Sequence, residues 1–137
     1  MKDVVYDTYL GFGGLKNTSR YKQADATLNK AKAKYAVDSA TVTGHSLGSS
    51  IGQKIAKPTD KFYGLNAGYT IGQPTRDYGG NHKHYRVEGD PISALSKNIF
   101  TNSNDPNMQI LKPTNPNSKD PFASHYLDNI KHENIFI

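Results

Sequence analysis

The 137-residue chain has no cysteine, and that absence removes disulfide bridges, thiolate zinc sites and cysteine nucleophiles together. Serine is left as the natural covalent nucleophile. No apolar run reaches the length of a membrane-crossing helix. The opening Met1-Lys2-Asp3-Val4-Val5-Tyr6-Asp7 carries acids where a signal peptide has its apolar core, so no export signal is read there and localisation stays open. Gly11, Gly13 and Gly14 do not form G-x-G-x-x-G, and no acid follows at the spacing a dinucleotide site needs. Lys and Arg outnumber Asp and Glu by 17 to 12, for a net charge of +5. The lysines are dispersed, however, with no arginine-rich, aromatic-interleaved module, so nucleic acid is not an expected partner. The excess reads as a solvated basic surface, one that can favour an anionic membrane.

What is present is a hydrophobic content of 35% and a charged content of 21%, the balance of a folded, soluble domain that takes in residues 1–137. Its organising stretch is Thr41-Val42-Thr43-Gly44-His45-Ser46-Leu47-Gly48-Ser49-Ser50. A β-branched run enters, a small-residue run with helical potential leaves, and G-x-S-x-G lies between them, in the pattern of a nucleophile elbow. A serine at such a strand-to-helix turn occupies a strained backbone conformation. Glycines at 44 and 48 are expected to remove clashes with side chains two positions away on either side. Ser46 Oγ then stands at the strand's carboxyl end, with the Leu47 N–H and the helix N-terminus facing any oxyanion that forms.

The rest of the chain supplies an α/β pattern. Residues 1–14 read as a loop or short strand. Tyr21, Ala24, Leu28, Ala31 and Tyr35 recur at helical spacing, with lysines on the other face and Thr18 or Ser19 as cap, and they predict a helix up to Tyr35 packed on a sheet. Asp38 and Ser39 form a turn before the elbow strand. Ser49 to Ala56 reads as helix, with Gly48 and Gly52 small enough for close packing. Lys61 to Gly68 resembles a strand, which Ala67 to Gly72 extends or follows after a bend, and Gln73 to Asn81 is loop. His82 to Val87 alternates as a strand and delivers Glu88-Gly89-Asp90-Pro91 to its end, where a short helix can start over Pro91 to Leu95. Thr101 to Pro121 is loop with a short strand at Met108-Gln109-Ile110-Leu111, and a helix-prone segment follows Phe122-Ala123-Ser124-His125-Tyr126. The sheet is therefore expected to be mainly parallel.

A serine hydroxyl needs a base and an orienting group. With this elbow the chain order is serine, acid, histidine. Asp90, at a strand's carboxyl end, suits the acid, although Asp before Pro is equally an ordinary helix cap. His125 suits the base, with His132 as its rival. His82 and His84 precede the acid, and His45 is expected to point away from Ser46. The pair His82 and His84 can share a strand face, but no third metal ligand has clear spacing.

These residues resemble the class 3 lipase family, whose elbow reads T-G-H-S-L-G-G. Thr43 to Gly48 match it and Ser49 replaces the last glycine. The likeness extends to the helix and Tyr35 before the elbow, to Tyr-Arg-Val-x-Gly-Asp-Pro at 85–91, and to His125. It implies an α/β-hydrolase-like fold reduced in size and lacking the first strands. It implies Ser46 as nucleophile, Asp90 as acid, His125 as base and Leu47 as oxyanion donor, acting on acylglycerol or phospholipid esters at a membrane or lipid-droplet interface with no metal or cofactor. Asp3 and Asp7 resemble the family's D-x-x-x-D stretch, so the R-G-T segment that gives the second oxyanion donor would lie upstream of Met1. Three expectations follow: the chain is a piece of a longer one, the Gly11 to Gly14 loop substitutes, or acyl transfer is reduced. In the last case the chain is a weak or inactive lipase-like module that binds a lipid surface or a protein partner.

Overall fold

The computed structural model describes residues 18–67, 81–91 and 108–127. Helix α1 (Ser19–Tyr35) starts where Thr18 Oγ1 accepts a hydrogen bond from the Tyr21 N–H at 3.2 Å, which satisfies one of the first turn's orphan donors. It stops at Ala36, which adopts the left-handed conformation at φ 51°, and the Val37 N–H closes back on the Lys32 carbonyl. The expected apolar stripe is only half used. Tyr21 and Ala24 pack around Ile51, whereas Ala31 and Tyr35 are exposed. Lys32 does not stay with the solvated lysines: it turns inward to Asp60.

Strand β1 (Thr41–His45), helix α2 (Leu47–Ile55) and strand β2 (Lys61–Leu65) follow. After them come β3 (His82–Val87) and β4 (Met108–Leu111). The four strands lie side by side in chain order, and every pairing is parallel. The α/β reading with a parallel sheet thus holds for the described residues. Helix α2 begins two residues before the sequence pattern suggests, directly after Ser46.

Alternation along the strands gives the sheet two apolar faces. On one, Phe62 is fully buried, and α2 comes close because Gly52 offers no side chain: a Cβ there would lie 2.8 Å from the Phe62 ring and 3.3 Å from Val42. On the other, Tyr85 and Val87 are buried with Tyr63, Leu65 and Leu111 packed against them. Because the strands are parallel, all four carboxyl ends lie along one edge, where open α/β sheets place their functional groups. The readings for 1–14, 68–72, most of 73–81 and nearly all of 91–95 lie outside the described residues, as does the segment after Leu127.

Candidate active site

At the carboxyl end of β1 the chain turns from strand to helix through a single residue. Ser46 has φ 53° and ψ −123°, a conformation that costs a residue with a side chain on the order of 1–3 kcal/mol. It is held from both sides. The Ser46 N–H donates to the Leu65 carbonyl at 3.0 Å, and the Ser46 carbonyl accepts from Ser49 at 3.0 Å and Ser50 at 3.3 Å. The strand β1 and helix α2 come so close that a Cβ on Gly44 would overlap the Gly48 carbonyl oxygen and lie 2.5 Å from its carbon. Gly44 is thus required by space. Gly48 is not: a Cβ there would meet nothing within 4 Å, since it points outward from the first turn. The clash expected at both glycines exists at one.

Strand β3 presents its acid through a tight turn. The Asp90 N–H donates to the Val87 carbonyl at 3.2 Å, and Gly89 takes φ 81°, the positive value a type II turn demands at that position. Asp90 is buried. Beyond β4, Asp120 accepts from the Phe122 and Ala123 N–H groups and leads into a 3-10 turn, η1 (Ala123–His125). That turn sets His125 beside both earlier groups.

His125 Nε2 lies 2.9 Å from Ser46 Oγ, and His125 Nδ1 lies 3.0 and 3.1 Å from the two Asp90 carboxylate oxygens. A carboxylate only accepts, so the proton of the neutral ring sits on Nδ1. The lone pair of Nε2 then faces the serine hydroxyl. Residues 79 and 35 positions from His125 in the chain converge on its ring. Leu47 opens α2, where helix geometry leaves a backbone N–H without an intrahelical acceptor. His132, the alternative base, lies outside the described residues.

Two further side chains reach this site. His45 is bonded to the histidine rather than to the serine: its Nε2 lies 2.6 Å from the His125 carbonyl oxygen, and the two rings are 5.0 Å apart. Burial pushes the His45 pKa below its usual value, against the opposing pull of that carbonyl. Asn66 follows β2 at φ 43° and is fully buried. It donates from Nδ2 to the Ser124 and His125 carbonyls at 2.9 and 3.2 Å and accepts the Val87 N–H on Oδ1 at 2.7 Å. Sequence reasoning passes over Asn66; its one local signal is that asparagine tolerates positive φ just past a strand's end.

His82 and His84 do share a buried strand face, on either side of the Phe62 ring. His82 Nε2 donates to the Lys57 carbonyl at 3.1 Å, and Gln53 Nε2 lies 3.5 Å from His84 Nε2. Among the described residues no group of three or more His, Asp or Glu is disposed to hold a metal ion. None of their helices is long and apolar enough to cross a membrane. Comparison of the chain with protein families, with curated proteins and with solved structures finds no match.

Proposed function

We propose that the protein is a serine carboxylic-ester hydrolase of the α/β-hydrolase type, acting on acylglycerol or phospholipid esters, as its resemblance to the class 3 lipases implies. The observation that carries this reading is the unbroken hydrogen-bonded line from Ser46 Oγ through His125 to Asp90, at 2.9 and 3.0 Å. The order of the groups supports it as well. Nucleophile, acid and histidine follow β1, β3 and β4 of a parallel sheet numbered in chain order, which is the chain order of hydrolases built on this elbow.

On this reading the chemistry is acyl transfer through the serine. Ser46 Oγ attacks the ester carbonyl carbon while its proton passes to His125 Nε2, and the buried Asp90 carboxylate stabilises the imidazolium. The Leu47 N–H and the positive end of α2 face the tetrahedral oxyanion. Collapse expels the alcohol, which takes the proton from His125, and leaves Ser46 acylated. In the second half His125 Nε2 takes a proton from water as the water oxygen attacks the acyl carbonyl carbon; the bond from that carbon to Ser46 Oγ then breaks, His125 returns the proton to Ser46 Oγ, and the carboxylic acid leaves. No step calls on a cofactor.

The test is hydrolysis of short-chain and long-chain p-nitrophenyl esters, with covalent labelling by a fluorophosphonate. Ser46→Ala is expected to abolish labelling and to lower kcat by about 10⁶-fold, and Asp90→Asn by about 10⁴-fold. Folded protein that neither turns over nor labels would overturn the hydrolase reading and favour a lipase-like binding module.

A further inference from the structure

The ring of His125 must face Ser46 on one side and Asp90 on the other, so its aim is only as good as the position of its backbone. That backbone sits in a 3-10 turn of three residues, whose own hydrogen bonds reach back only three positions. The fixing bonds come from elsewhere. The carbonyl oxygen of His125 receives His45 Nε2 at 2.6 Å and Asn66 Nδ2 at 3.2 Å. These donors belong to the last residue of β1 and the first residue after β2.

We propose that His45 and Asn66 are positioning residues, which clamp the main-chain carbonyl of His125 and so set the distance from its ring to Ser46. The proposal rests on the hydrolase reading for its kinetic consequence and on geometry for its structure. His45 is bonded covalently to Ser46, and the Ser46 N–H is held by Leu65, the neighbour of Asn66. Nucleophile and base are therefore referred to the same two strand ends. Asn66 extends the frame to the acid, because its Oδ1 holds the Val87 N–H at the start of the turn that presents Asp90. A carbonyl only accepts, so His45 carries its proton on Nε2. Burial favours its neutral form. A neutral donor suits a place whose ring centroid is 5.0 Å from His125, since a cation there would oppose the imidazolium formed during catalysis.

The experiment compares His45→Phe, which removes the donor, with His45→Gln, whose amide nitrogen reaches a similar position, and adds Asn66→Asp, which keeps the acceptor for Val87 and removes the donor. Turnover is normalised to the fraction of sites titrated by fluorophosphonate, so a loss of folded protein does not count. His45→Phe is expected to lower kcat per titrated site roughly 10- to 100-fold with KM unchanged, the scale of an ångström's misplacement. His45→Gln is expected to restore most of it. If Asn66→Asp fails to fold, the His45 pair decides. In parallel, the His125 Nδ1–H resonance is followed by NMR; it is expected to persist in the wild type and His45→Gln and to be lost to exchange in His45→Phe. Wild-type kcat per site in His45→Phe, or a His45→Gln variant as impaired as His45→Phe, would overturn the clamp. Should the wild type show no Ser46-dependent labelling, the hydrolase reading fails and the NMR arm judges the clamp alone: loss of the resonance only in His45→Phe sustains it, and equal spectra in all three sink it.

Discussion

Ser49 Oγ is buried behind the elbow with no hydrogen-bond partner among the described residues. It lies so close to Gly64 that a Cβ there would overlap it, and the Phe62 ring would be 2.8 Å from the same Cβ. A hydroxyl confined this way has lost water and gained nothing in return, which costs on the order of 1–3 kcal/mol. Ser49→Ala is therefore expected to raise the stability by about 1 kcal/mol, read as a higher urea midpoint at unchanged slope; a lower midpoint would show that the hydroxyl is satisfied in solution. The position is where the resembled elbow has its last glycine, so sequence could flag Ser49 as unusual without saying what it costs. Ser46, Asp90 and His125 can be nominated from sequence because each has a local signature: a motif, a strand end before Pro, a histidine late in the chain. His45 lies inside the motif and Asn66 has only its tolerance of positive φ, and neither signal names the contact each makes. Their bonds to His125 span 80 and 59 positions, and no periodicity or spacing encodes a contact of that kind. The elbow's inner geometry was equally hidden, since a motif names two glycines alike while only Gly44 is crowded.

Elements with a strong period are legible, and their ends are set by single residues. Helix α1 announces itself by its spacing and its Thr18 cap, yet the stripe overstates the packing because the helix outruns its partner: Tyr35 is 67% exposed. The strand β4, only four residues long, is visible as an apolar island in a polar stretch. Where α1 stops is less visible, because Ala36 holds the left-handed position at φ 51° that glycine usually fills. An alanine there bears a steric cost of roughly 1–2 kcal/mol, and a glycine gives back part of that gain through its larger unfolded-state entropy. Ala36→Gly is expected to stabilise the protein by about 0.5–1 kcal/mol, measured by thermal denaturation. Because the residue is exposed, no packing change obscures the result; destabilisation would mean that the helix does not end in this turn.

At the scale of the whole molecule the sheet has two edges, each with a buried carboxylate. Asp90 serves the carboxyl edge; Asp60 closes the amino edge. Lys32 of α1 bonds Asp60 at 2.6 and 2.8 Å, and the N–H groups of Ala40 and Lys57 donate to it at 2.8 Å each. Burial alone would raise the Asp60 pKa, but the Lys32 ammonium and the two N–H donors outweigh it and hold the carboxyl below its ordinary 3.8. A carboxyl with a lowered folded pKa stabilises the fold above its unfolded value, and that contribution is lost as pH falls through the lowered one. His82 and His45 act in a higher window. Burial depresses both below the ordinary 6.5, although the Lys57 carbonyl and the Asp60 charge partly offset it at His82. Between 6.5 and the lowered values the unfolded chain binds the extra protons, so stability declines as pH falls below 6.5, by at most ~1.4 kcal/mol per pH unit for each histidine. Acid unfolding is therefore expected in two stages, one setting in below 6.5 and one below 3.8. Urea midpoints measured across pH separate them. His82→Gln, whose amide can still reach the Lys57 carbonyl, should shallow the upper stage alone. Asp60→Asn should lower the plateau at neutral pH and flatten the lower stage, because Lys32 is left facing a neutral group. An upper stage unchanged by His82→Gln would mean that the ring already meets solvent, and a lower stage unchanged by Asp60→Asn would mean that the amino edge is not held by its carboxylate.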